Sequence, residues 1–226
     1  MSRHLERDLE RLQKHIVGFA GRVEEAVYKA VQALNEHDRD KAEDVIEGDE
    51  AIDRAENELA EECLKLLALH QPVATDLRRI ATTFMITTDL ERMGDLARHI
   101  AEAGVVLAAP PYPIPPKLLQ MTDITLTMVR QSLDAFVNMD GALARRVVRM
   151  DDEVDRYNDE LIADVAAGMK KSPDAVDPGL VLYAVTRHVE RIADHATNIA
   201  EDVIYLVEGE IVKHRPEAIG KDPSGD

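Results

Sequence analysis

The chain has 226 residues, with 44 Asp and Glu against 27 Lys and Arg, and a formal net charge of −17. That balance excludes the basic footprint a phosphate backbone needs, so no nucleic-acid partner is expected, and it disfavours an anionic membrane surface for the same reason. Metal cations and basic protein patches remain as partners, although most of the acids simply make a solvated, self-repelling surface. Hydrophobic residues reach 45% but aromatics only 4%, with no Trp, so Ala, Leu, Ile, Val and Met must fill the interior. Helix-on-helix packing suits that composition. Cys63 is the single cysteine, which rules out a disulfide within the chain and fits a reducing compartment. The charged opening SRHLERDLER lacks the apolar core of a signal peptide. No apolar run approaches the ~20 residues of a membrane span, and AGVVLAAP stops at Pro110. A soluble, cytoplasmic protein without membrane insertion is expected.

In chain order, Leu5, Leu9, Leu12, Ile16, Phe19, Val23, Val27, Val31 and Leu34 recur at helical spacing and predict one long amphipathic helix from His4 to about Glu36. NEHDRD breaks it. A second helix is predicted from about Asp38 to Leu69, through Ala42, Val45, Ile52, Leu59, Leu66 and Leu69, ended by His70-Gln71-Pro72. Thr75 is the expected cap of a third, from Asp76 to about Ala108, with Asp76 favourable in the first turn. PPYPIPP (110–116) is a stiff, donor-poor linker. The second half repeats the plan, with helices over about Lys117–Met139, Asp140–Met169 and Pro178–Val207, the last two separated by KSPDAVDPG. The expected fold is all-α, a tandem duplication of two antiparallel three-helix bundles. Its parts are 1–109 and 117–209, joined by the proline-rich linker 110–116 and followed by a flexible tail over 210–226.

The duplication is explicit in two segments. DLERMGDLARHIAE (89–102) and HVERIADHATNIAE (188–201) superpose at an offset of 99, matching Glu91 with Glu190 and Asp95 with Asp194. GDEAIDR (48–54) and MDDEVDR (150–156) superpose at an offset of 102, matching Asp49 with Asp151 and Asp53 with Asp155. Each Glu-x-x-x-Asp pair lies one position round from an apolar stripe (Leu90, Met93, Ala97 and Ile100, or Val189, Ile192, Ala196 and Ile199), at the border of the buried face. Side chains four apart on a helix are neighbours, so each pair costs about 0.2–0.5 kcal/mol of like-charge repulsion unless something offsets it.

Short connections make the second and third helices of each half antiparallel neighbours. At ~1.5 Å rise per residue, Asp53 and the Glu91/Asp95 pair lie level, some ~23–29 Å from their shared turn. The second half places its own pairs level within about a helical turn. Four carboxylates therefore converge in each half, and they do not all ionise at pH 7 without counter-charge. Either arginines neutralise them (Arg54, Arg92 and Arg98 in the first half, Arg156, Arg187 and Arg191 in the second) or oxygen-loving divalent cations do. On the metal reading, Asp49, Asp53, Glu91 and Asp95 are the candidate ligands of the first site, with His99 or Glu102 near its edge. Asp151, Asp155, Glu190 and Asp194 are those of the second. His188 and His195 lie near the second cluster but are expected to be boundary residues. Asp89 reads as a solvated acid, and Cys63 as a small buried hydrophobe.

E-R-x-[GA]-D on the third helix of each repeat, with acid-x-x-x-D on the second, resembles the PhoU family of phosphate-transport regulators over about residues 4–208. The resemblance implies a cytoplasmic, usually dimeric, all-helical protein without enzymatic activity. It would act as an adaptor on the ATPase subunit of the high-affinity phosphate ABC transporter and on the phosphate sensor histidine kinase, a negative regulator of uptake and starvation signalling. It also implies divalent metal (iron, zinc, magnesium, manganese or nickel) at the eight acid-motif positions. His99 stands where the second repeat has Asn198, so the two sites need not be equivalent. The alternative is a ferritin-like carboxylate-bridged di-metal bundle for redox chemistry or metal storage. That class needs Glu-x-x-His motifs, and none of the eight histidines has Glu three positions before it. No Gly-rich phosphate loop or local nucleophile motif supports a hydrolase.

Overall fold

A computed structural model describes residues 3–209 and 212. Among the described residues six long helices follow one another: α1 (Arg3–Glu36), α2 (Arg39–His70), α3 (Ala74–Leu107), α4 (Pro116–Asn138), α5 (Gly141–Lys171) and α6 (Val176–Glu208). A 3-10 turn, Pro173–Ala175, leads into α6. Helices α1–α3 pack into one bundle and α4–α6 into another, and the two join along α3 and α6 with a lesser contact between α1 and α4. The expected duplicated three-helix architecture is the one observed. None of these helices is long and apolar enough to cross a membrane. The tail predicted over 210–226 lies outside the described residues apart from Val212.

Local chemistry explains the joints. His37 (φ 54°) and Met139 (φ 53°), 102 residues apart, both take the left-handed conformation that ends a helix. The next residue in each case is an aspartate that caps the following helix. Asp38 accepts from the Lys41 N–H at 3.0 Å and Asp140 from the Leu143 N–H at 2.9 Å. The duplication therefore extends to the turns. Gln71 (φ 44°) ends α2, its N–H donating to the Leu67 carbonyl, and Pro72 bars continuation. Pro116 opens α4 at its first position, where its missing N–H costs nothing.

Three details depart from the sequence reading. Thr75 does not cap α3; extended Val73 precedes a helix that starts at Ala74, which leaves Thr75 inside the first turn without a capping bond. α6 starts at Val176, because Pro178 is tolerated within a first turn whose N–H groups have no intrahelical acceptor. Leu69 is 75% exposed: the buried face of α2 runs Leu59, Cys63, Leu66 and on to His70, whose Nε2 meets Asp8 at 3.0 Å, so Leu69 points to solvent.

α3 and α6 are the central helices. Each packs against two partners in its own bundle and against the other across the molecule, so apolar burial spreads around both. At Gly94 on α3 the approach of α2 is tight: a Cβ added there would lie 2.9 Å from Ile52 Cγ2 and 3.1 Å from Ile52 Cδ1. Gly94 precedes Asp95 and Ile52 precedes Asp53, so the same close approach brings the acidic residues of the two helices together.

Candidate functional site

The first acidic site joins α2 and α3. Asp49 and Glu91 are largely covered, with side chains 16% and 17% exposed, while Asp53 stands at the solvent edge. Burial pushes the Asp49 carboxyl above its ordinary range and its acidic neighbours Asp53 and Asp95 add to the push, against the pull of Arg98. Burial likewise raises Glu91, followed by repulsion from Asp95, Glu56 and Asp53. The four acids identified from sequence thus feel one another across the two helices, and Glu56 joins them as an acid that the motif comparison missed.

The arginines divide unequally. Arg54 turns outward to Glu50, and Arg92 lies 3.5 Å from Glu91 and 4.0 Å from Asp95 with its side chain 59% exposed. Arg98 carries most of the neutralisation. Its Nε donates to Asp49 Oδ2 at 2.9 Å and its Nη1 to Glu102 Oε1 at 2.6 Å, and its Nη2 stands 3.6 Å from Asp95 Oδ1. Glu102 thus serves as an anchor for Arg98. His99 Nε2 lies 3.2 Å from Arg98 Nη2.

The second site joins α5 and α6. Asp151 is the most perturbed carboxyl: burial, then repulsion from Asp194 and Asp155, pushes it up to about 7. Partial burial and Asp155 raise Asp194, and burial with Asp194 and Asp155 raises Glu190. Arg187 donates to Glu190 Oε1 at 2.8 Å from the rim. Arg156 turns away to Glu153 and stacks over Tyr157. The Thr197 hydroxyl beside Asp151 pulls its carboxyl the other way, more weakly than burial and the neighbouring acids push it, and Glu190 Oε2 is buried without a hydrogen-bond partner.

Among the described residues no three His, Cys, Asp or Glu side chains are gathered into a metal-holding set. The donor chemistry nevertheless differs between the sites. In the second, the buried Glu190 Oε2, without a donor and beside Asp194 and Asp155, is an oxygen that suits a hard divalent cation. In the first, Asp49 Oδ1 is buried without a partner, but Arg98 already supplies positive charge.

The seam between α3 and α6 overturns the reading of Asp89 as solvated. Asp89 is covered, its Oδ1 2.8 Å from His195 Nδ1 and 3.5 Å from Asn198 Nδ2. His99 and His188 stack at 5.3 Å between ring centroids, and burial together with His99 lowers His188. At the offset of 99, Asp89 corresponds to His188 and His99 to Asn198. The Asp89–Asn198 and His99–His188 contacts are therefore exchange mates about one crossing. Cys63 is fully buried as expected, and burial lifts its thiol to about 12.

The geometry defines a class: all-helical proteins made of a duplicated three-helix bundle, with level acidic pairs on the second and third helices of each copy. The PhoU domain model matches residues 16–104 and again 118–203. A phosphate-specific transport system accessory protein PhoU homolog of Aquifex aeolicus is 41% identical over 211 residues, covering 92% of this chain and 95% of the relative. A homolog of the same description in Pseudomonas putida is 37% identical over 218 residues, covering 95% and 84%. The crystal structure of PhoU from Pseudomonas aeruginosa superposes with a TM-score of 0.87 at 36% identity, over 91% of this chain and 99% of that one. The regulatory protein PhoU of Streptococcus pneumoniae gives the same TM-score at 31% identity, over 92% and 99%. The chain belongs to the PhoU family. These matches favour that family over the ferritin-like bundle.

Proposed function

We propose that this protein is a non-enzymatic, cytoplasmic accessory regulator of a phosphate-specific transport system, restraining uptake and starvation signalling when phosphate is plentiful. The observation that carries this is the full-length similarity to relatives described as phosphate-specific transport system accessory proteins. The acidic sites, repeated at matched positions on both bundles, support an adaptor that presents an acidic face to basic surfaces. Its partners are the ATPase subunit of the transporter and the phosphate sensor histidine kinase, and it works as a homodimer. Docking shifts these partners only to the extent that it binds their restrained state better than their active state.

Divalent cations belong to the acid motifs, foremost Asp151, Asp155, Glu190 and Asp194 in the second bundle; the corresponding Asp49, Asp53, Glu91 and Asp95 of the first already hold Arg98 among them. A bound cation supplies counter-charge and ties the two helices of its site together. The side chains themselves hold the helices in register, keep acid at the surface and leave the seam between bundles to Asp89, His195, His99 and His188. The reading is tested in a host deleted for its own copy, with a phosphate-starvation reporter. Wild type restores repression in high phosphate, and the Glu91→Ala/Asp95→Ala and Glu190→Ala/Asp194→Ala variants do not. Folded variants with wild-type repression would remove the acidic sites from the regulatory account.

A further inference from the structure

The two acidic sites differ at a position that the repeat makes visible. Arg98 on α3 corresponds, at the offset of 99, to Thr197 on α6. In the first site the Arg98 guanidinium reaches Asp49 at 2.9 Å, Glu102 at 2.6 Å and Asp95 at 3.6 Å, with its side chain only 27% exposed. A guanidinium is charged at any working pH and offers five donors in one plane, so a site built around it carries its own counter-charge. A divalent cation entering between Asp49 and Asp95 would have to expel Arg98 or sit against its charge.

The second site has no such plug. Thr197 brings no charge and offers Asp151 only a neutral hydroxyl, while Glu190 Oε2 is buried without a partner. Glu190 is 8% exposed and faces Asp155 and Asp194. Arg187 satisfies only Glu190 Oε1, from a side chain 40% exposed. Among the described residues no cation makes a salt bridge to Asp151, Asp155 or Asp194; His195, Arg187 and Arg191 act on Asp194 only from farther off. Buried carboxylate oxygens left without donors are costly, and a hard divalent cation meets that need where a threonine cannot.

We propose that Arg98 is an internal cation that closes the first site to metal, so that divalent-cation binding in this protein belongs to the second bundle. The two bundles are then functionally unequal: one keeps a fixed guanidinium among its acids, the other answers to metal. The inference rests on the acid motifs being metal sites at all.

The test uses full-length protein stripped with chelator, dialysed against Mn(II), with bound metal measured by elemental analysis and by Mn(II) spin resonance. Circular dichroism confirms the fold of every variant. Wild-type uptake is expected to weaken by at least about tenfold in Asp151→Asn/Glu190→Gln, as for loss of supporting ligands elsewhere, and to be unchanged in Asp49→Asn/Glu91→Gln. Arg98→Thr takes up metal in excess of wild type, and that excess vanishes when Asp49→Asn/Glu91→Gln is added. Thr197→Arg plugs the second site and suppresses uptake. Arg98→Met checks that any gain comes from losing the charge and not from the new hydroxyl. Equal losses from the first-site and second-site variants, or no gain from removing Arg98, would overturn the inference and leave the metal reading standing. No Mn(II), and no Zn(II) in a parallel dialysis, on wild type or any variant would remove the metal reading and this inference with it.

Discussion

Replacing Gly94 with alanine probes the α2–α3 approach that places the first acidic site. The new Cβ would lie 2.9 Å from Ile52 Cγ2 and 3.1 Å from Cδ1, too near for Ile52, which is 6% exposed, to stay where it is. Overpacking of this kind costs about 1–3 kcal/mol, against a helix-propensity gain of up to about 1 kcal/mol for leaving glycine. The expected net loss is about 1 kcal/mol, or a fall in melting temperature of about 2–4 °C for a chain of this size. The second repeat suggests the compensation. At the matched positions it has Ala193 and Val154, both fully buried, where the first has Gly94 and Ile52. Ile52→Val alone should cost about 0.5–1.5 kcal/mol, whereas the double variant should cost less than the sum of the two singles by about 1 kcal/mol. Urea unfolding followed by far-ultraviolet circular dichroism measures all four corners of the cycle. A neutral or stabilising Gly94→Ala, or strict additivity in the double variant, would refute the packing argument.

Three further outcomes follow from named contacts. The Asp151 carboxyl is held at about 7 in the folded protein against an ordinary 3.8, so between those values the folded state binds a proton that the unfolded chain has released. Metal-free wild type should therefore lose stability relative to Asp151→Asn as pH rises from about 4 to about 7, and parallel melting-temperature curves for the two would contradict this. Asp89→Ala removes the acceptor of His195 at the α3–α6 seam and should cost about 1–2 kcal/mol in urea unfolding, with Leu180→Ala, a 55% exposed site on α6, as an indifferent control. Asp38→Ala and Asp140→Ala each remove one helix cap and should each cost about 1 kcal/mol, with nearly additive loss in the pair because the caps lie in separate bundles.

The helices were legible because their apolar residues keep the 3.6-residue period over more than 20 residues at a time, and Leu9, Ile16 and Val23 are buried as that period requires. Their ends were less so. Thr75 has the chemistry of a cap, but the backbone at Val73 and Ala74 decides where α3 starts, and Pro178 is as compatible with the interior of a first turn as with its edge. The acidic pairs were found by aligning the repeat, and the structure brings them within reach of one another. The same alignment already contained Arg98 opposite Thr197, a difference that acquires meaning only when Arg98 is seen among Asp49, Asp95 and Glu102. Asp89 was misread because its partners, His195 and Asn198, come from the other repeat. A crossing between copies cannot be inferred from the periodicity of either one.

The central claim, an accessory regulator that docks on the transport and signalling machinery, is tested most directly by affinity capture. The full-length protein would be immobilised and presented with the cognate phosphate-transporter ATPase and sensor histidine kinase, before and after chelator treatment and with Mn(II) restored. The account predicts capture of both partners, weakened by chelator, recovered with metal, and lost in Glu190→Ala/Asp194→Ala. Failure to capture either partner under any of these conditions would contradict it.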